Sequence, residues 1–128
     1  MKLPNIFEKN VVPLFYTAGS TIFEIGQPRD LMFIVQEGEV EIRIGNKVVE
    51  TVGVDGFFGE MALIDGGTRS ATAIAKTDCK LVPINEKQFL FMVQETPFFS
   101  LRVMRTLTAR IRQVDRRLLQ SEVASPNS

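Results

Sequence analysis

Histidine is missing from this chain altogether. That absence removes the commonest general base and the commonest transition-metal ligand. It excludes a Ser-His-Asp triad within the chain and a two-histidine-one-carboxylate metal site. Cysteine is nearly missing, since Cys79 stands alone. No internal disulfide can form, so a reducing, cytoplasmic compartment is expected. Cys79 lies in an apolar-alternating run, where a buried and inert thiol is the default. Excess charge is missing too: 15 basic residues balance 15 acidic ones. No global field pulls the chain toward nucleic acid or an anionic membrane. Long apolar runs are also missing. The longest uncharged stretch, Asn10 to Phe23, is too short to span a bilayer and contains Pro13. The opening MKLPNIFEKN lacks the apolar core of a secretory leader. These absences together predict a soluble protein without metal or cofactor.

The 128 residues that remain suit one domain with one real core. Residues 1–10 read as a short helical turn or irregular arm. From 11 to 85 the chain is punctuated by glycine, and the runs between glycines are rich in β-branched and aromatic residues. Leu31-Met32-Phe33-Ile34-Val35 is continuously apolar, which suits a strand buried on both faces. Val40, Ile42 and Ile44 alternate with Glu39, Glu41 and Arg43, the pattern of a half-buried strand. Gly45-Asn46 is a hairpin signal, with Lys47 to Val52 as the return strand. Arg69 to Ala75 and Cys79 to Ile84 read as a further strand pair across Lys76-Thr77-Asp78. The expected fold is mainly β, an antiparallel barrel of jelly-roll type.

Two C-terminal helices are expected over 86–120. Asn85 is a good N-cap and Glu86 suits a first turn. Pro97 suits the opening of the second helix. In it, Leu101, Met104, Leu107, Ile111, Val114 and Leu118 fall on one stripe. Phe89, Phe91, Phe98 and Phe99 read as helix packing rather than base-stacking platforms. Residues 121–128 are small and polar, and a disordered tail is expected there.

The chemistry concentrates between Phe58 and Ala71. Gly59 permits close backbone approach, and Glu60 to Ile64 can form one helical turn whose first N–H groups point outward. Such a turn is an anion site. Gly66-Gly67 lets the chain reverse, and Arg69 returns with a forked cation, followed by the small Ser70 and Ala71. Taken singly, Glu60 is a helix-start carboxylate and Arg69 a surface charge of little worth. Taken together, they offer a guanidinium for a phosphate and a carboxylate for a sugar hydroxyl. Ribose phosphates carry both groups fused.

Phe58-Gly59-Glu60-Met61-Ala62-Leu63 followed by Arg69-Ser70-Ala71 resembles the motif of the cyclic nucleotide-binding domain family. Ala18-Gly19-Ser20 with Ile22-Phe23 and Gly26 resembles that family's early strands, and Phe33-Ile34-Val35 with Gly38 and Val40 its central hairpin. The likeness runs from Phe7 to Leu118. It implies that Gly59 and Glu60 hold the ribose, with Glu60 accepting from the 2′-hydroxyl. It implies that Arg69 pairs with the cyclic phosphate, and that Ser70, Ala71, Met61 and Ala62 line the phosphate cradle. The nine-residue step from Glu60 to Arg69 resembles the kinase-regulator and channel branch, since the catabolite-activator branch carries one more residue there. Val114 and Asp115 stand where that latter branch has hydroxylated base-contacting residues, a departure from its way of reading adenine.

The resemblance implies a non-enzymatic sensor of cAMP or cGMP. The last helix is rich in arginine, and Arg105 or Arg112 is the candidate lid over the base. Its apolar stripe also suits a homodimer seam, or an effector protein bound in trans. No helix-turn-helix segment follows, so direct DNA binding is not expected. The rival readings are a dimerisation or partner-interaction module with a vestigial pocket, and a cupin-like enzyme. The missing histidines oppose the second.

Overall fold

The computed structural model describes residues 12–28, 30–60, 63 and 67–124, with backbone alone at 111 and 113–124. The arm expected over 1–10 lies outside them. Eight strands come first: β1 (Leu14–Tyr16), β2 (Thr21–Phe23), β3 (Met32–Glu37), β4 (Val40–Ile44), β5 (Lys47–Val52), β6 (Phe57–Phe58), β7 (Thr72–Ala75) and β8 (Cys79–Ile84). Two helices follow, α1 (Glu86–Glu95) and α2 (Pro97–Ala124). The chain divides into two compact units, Met1–Leu90 and Phe91–Ser128.

The strands form two four-stranded antiparallel sheets, in the orders β1-β8-β3-β6 and β2-β7-β4-β5. This is the strand order of a double-sheet jelly roll. The expectation of a barrel is corrected to a sandwich of two sheets. The expected β7–β8 pair is corrected as well: β7 pairs with β2 and β4, whereas β8 pairs with β1 and β3. Likewise β3 and β4 lie in different sheets rather than in one central hairpin. The physical reason lies at the corners, where the chain changes sheet. Gly38, at φ 90°, turns the chain from β3 toward β4, and a Cβ there would overlap the Asp78 carbonyl oxygen. Lys76 donates its N–H to the Glu39 carbonyl oxygen at 2.9 Å, and Glu39 donates to Thr77 Oγ1 at 3.0 Å. The two crossing corners are thus bonded to each other, not folded into hairpins. The Gly45-Asn46 hairpin does form, pairing Ile44 with Lys47.

Core formation follows from the apolar pattern. Met32 to Val35 are all buried on β3, as a continuous apolar run requires. Phe33, Val35, Phe58 and Leu81 from one sheet pack with Val40, Val52, Ala73 and Ala75 from the other. Burial of each large side chain contributes roughly 1.5–3 kcal/mol. Cys79 is buried in the same cluster, and its thiol lies 3.2 Å from the carbonyl oxygens of both Glu39 and Thr77.

Asn85 caps α1 as expected. Gln88 donates its backbone N–H to Asn85 Oδ1 at 2.8 Å, and Asn85 donates its own to Gln88 Oε1 at 2.9 Å. This reciprocal pair is a capping box. Pro97 opens α2. The helix continues through Ala124 and not only to 120, so the irregular tail placed from Ser121 is corrected; residues 125–128 lie outside the description. Of the expected apolar stripe on α2, Leu101 and Met104 are exposed and Leu107 is half-buried, while the side chains of Ile111, Val114 and Leu118 lie outside the described residues; Phe99 and Val103 are buried. Phe98 is 84% exposed, so it does not pack as expected. Among the described residues no helix is long and apolar enough to cross a membrane.

Candidate functional site

Gly59 follows directly on β6, whose Phe57 and Phe58 are both buried. It takes φ 78°, a conformation that costs glycine little and other residues much. The turn carries Glu60 into the protein, where it is 2% exposed. Leu63 is helical and donates its N–H to the Glu60 carbonyl oxygen at 3.0 Å. Met61 and Ala62, two of the residues implied in the phosphate cradle, lie outside the described residues.

Arg69 is the second charged residue in the interior, 6% exposed. Both its backbone and its side chain are held by the segment from Phe23 to Leu31. Arg69 donates its N–H to the Gln27 carbonyl oxygen at 2.8 Å and accepts from the Gly26 N–H at 2.8 Å. Pro28 and Thr68 form an isolated antiparallel bridge beside them. Ile25 donates its N–H to Thr72 Oγ1 at 3.0 Å, which extends the clamp toward β7.

The guanidinium is then held in its own plane and on its face. Nη1 donates to the Gly59 carbonyl oxygen at 3.3 Å, and Nη2 to that of Leu31 at 2.8 Å. Cζ lies 3.9 Å from the centroid of the Phe23 ring. A charge removed from water is costly unless polar partners replace the water, and here two carbonyl dipoles and an aromatic face do so. A Cβ at position 59 would lie 2.8 Å from Arg69 Nη1 and 3.2 Å from the Leu31 oxygen. Only glycine lets the backbone come that close.

Gly59, Glu60 and Arg69 are therefore brought together. Ser70, exposed, and Ala71, half-buried, follow in a bend before β7. Arg105 and Arg112 are both exposed on α2, in the second compact unit. Sequence reasoning missed Phe23 and Leu31. Phe23 read as one more apolar strand residue, and Leu31 contributes a carbonyl oxygen, which no side-chain pattern encodes. Among the described residues no group of three or more acidic or cysteine side chains is placed to hold a metal.

A buried acidic side chain on the Gly59 turn, with a buried and oriented guanidinium held against that turn, suits an anionic ligand that also carries hydroxyl groups. A cyclic nucleotide-gated potassium channel of Mesorhizobium japonicum is 42% identical over 80 residues, 62% of this chain and 22% of the channel. The chain thus spans about a fifth of that relative's length. The Thermus thermophilus catabolite activator protein superposes with a TM-score of 0.78 at 27% identity, covering 91% of this chain and 58% of that one. A solved structure described as Sp-2Cl-cAMPS bound to PKAR CBD2 superposes with a TM-score of 0.72 at 25% identity, covering 83% and 70%. The family description matching residues 13–96 is the cyclic nucleotide-binding domain. That match takes in both sheets, the Gly59 turn and Arg69, and on it the chain belongs to the cyclic nucleotide-binding domain family.

Proposed function

We propose that this chain is a non-enzymatic sensor of 3′,5′-cyclic nucleotides, with cAMP preferred over cGMP. The observation that carries the reading is the joint burial of Glu60 and Arg69 about the Gly59 turn. Arg69 pairs with the cyclic phosphate, and Glu60 accepts from the ribose 2′-hydroxyl. Ser70 and Ala71, with the backbone at Met61 and Ala62, complete the phosphate cradle. A solved relative with a bound cAMP analogue supports a cyclic-nucleotide ligand. Capture of phosphate and ribose by the 59–71 segment is coupled to movement of the C-terminal helices, with Arg105 or Arg112 covering the base. The ligand shifts that equilibrium only by its differential affinity for the two arrangements. The module acts in the cytoplasm, without a cofactor, through an effector or a second copy. Calorimetric titration of the folded protein with cAMP and cGMP tests the reading. Saturable heat with either ligand is expected, and its absence with both overturns the proposal.

A second reading, a partner-interaction module with a vestigial pocket, is favoured by the exposure of Phe98, Leu101 and Met104 on α2. It predicts a stable dimer that ignores cyclic nucleotides and survives Arg69→Ala. Sedimentation equilibrium with and without ligand separates the two.

A further inference from the structure

We infer that Phe23 is a positioning residue for the anion-binding arginine. Its ring, together with the Leu31 carbonyl, sets the plane in which Arg69 presents its N–H groups. The guanidinium lies 3.9 Å from the Phe23 centroid and 6.0 Å from that of Phe33. At the shorter distance the cation stacks on the negative face of the ring.

The ring is itself fixed. Its centroid lies 6.2 Å from Phe33 and 5.9 Å from Phe58, and the latter two stack at 5.3 Å. Phe33 and Phe58 are register partners on β3 and β6, whereas Phe23 pairs with Ala73 in the opposite sheet. The three rings therefore span the sandwich, and the arginine rests on the one that belongs to the other sheet. This arrangement has a chemical consequence. A guanidinium gripped only by carbonyl oxygens can still tilt out of plane about its bonds. A ring against one face removes that freedom and excludes water from that face. A ligand cannot approach from the ring side, and approach along the edge is the geometry in which a guanidinium meets two phosphate oxygens at once. Phe23 thus acts on which phosphate oxygens are met, not merely on how strongly.

The inference rests on the cyclic-nucleotide reading for its ligand, and the test carries one arm that does not. In that arm, 15N NMR of the folded protein follows rotation of the Arg69 guanidinium about its Nε–Cζ bond. Slow rotation is expected in the wild type and in Phe23→Tyr, which keeps the ring, and faster rotation in Phe23→Leu, which keeps only the bulk. In the second arm, affinities are measured for cAMP and for its two phosphorothioate diastereomers, which differ in which exocyclic oxygen is replaced by sulfur. Phe23→Leu is expected to weaken cAMP by about tenfold, the scale of one desolvated cation–π contact. It is also expected to shrink the affinity ratio between the diastereomers, while Phe23→Tyr preserves both quantities. A merely structural role lowers both affinities alike and leaves the ratio intact, and that result overturns the inference. Equal rotation rates in wild type and Phe23→Leu overturn it as well. If the wild type binds no cyclic nucleotide, the functional reading fails, and the rotation rates alone decide the role of Phe23. If Phe23→Leu does not fold, the decision passes to Phe23→Met, an unbranched replacement of similar bulk, read in the same two arms.

Discussion

Arg69 Nη2 donates to the carbonyl oxygen of Leu31 across 2.8 Å, so the arginine is tied to the chain just before β3, 38 residues upstream. Replacing Arg69 by alanine removes the proposed phosphate partner and leaves that carbonyl without its donor. Truncating one member of a desolvated charge pair costs 2 kcal/mol or more, so affinity for a cyclic nucleotide should fall by about thirtyfold at least. Calorimetry measures the loss. Thermal denaturation should show a lower midpoint as well, because the lost hydrogen bonds also join distant segments.

Glu60→Gln keeps the shape of the side chain and removes its charge. A hydrogen bond to a carboxylate is worth more than one to an amide, so cAMP affinity should fall by about tenfold. A 2′-deoxy analogue should bind wild type and variant alike, since it has no hydroxyl to offer. Equal loss for both ligands in competition titrations argues against a ribose contact.

Gly59→Ala tests the turn itself. At φ 78° an alanine is strained, and its Cβ would press on Arg69 Nη1 at 2.8 Å. The backbone cost alone is about 1–3 kcal/mol, measurable as a lower urea midpoint. Ligand affinity should fall too, since the arginine has to move. Gly45→Ala is the matched control: its φ is also positive, but nothing lies within 4 Å of the added carbon. It should cost stability without touching affinity.

Much of this was legible in the sequence. The β3 run, the Gly45-Asn46 hairpin and the Asn85 cap each rest on local rules, and each appears where the pattern put it. The partnering of strands was not legible. Residues Arg69 to Ala75 and Cys79 to Ile84 look like a hairpin because three polar residues separate them. What decides their partners is the bonding of Glu39 to Lys76 and Thr77, some forty residues apart in the chain. The site divides in the same way. Glu60 and Arg69 were legible only together, as the two poles of one motif, whereas Leu31 acts through its main chain and Phe23 through a contact between sheets. On α2, periodicity did not mark Phe99 and Val103 as the buried positions, because Leu101 and Val103 are both apolar.

Asn85→Ala should cost about 1 kcal/mol, since it removes one half of the capping box and leaves the Gln88 N–H without its side-chain acceptor. Circular dichroism during thermal unfolding should show a midpoint lower by a few degrees. Asn85→Asp should largely preserve it, because aspartate caps as well as asparagine.

The pairing of β1 with β8, in which Leu14 faces Leu81, orders events in time as well as in space. A ribosome releases the chain from its amino end at roughly 5–20 residues per second. The first strand therefore waits for seconds before its only partner among the described strands emerges, and Phe15 and Leu14 are open to solvent or to a chaperone meanwhile. Pairings of such long sequence separation fold slowly. Emergence of the chain as far as Ile84 is thus the point at which the two-sheet unit first becomes able to close.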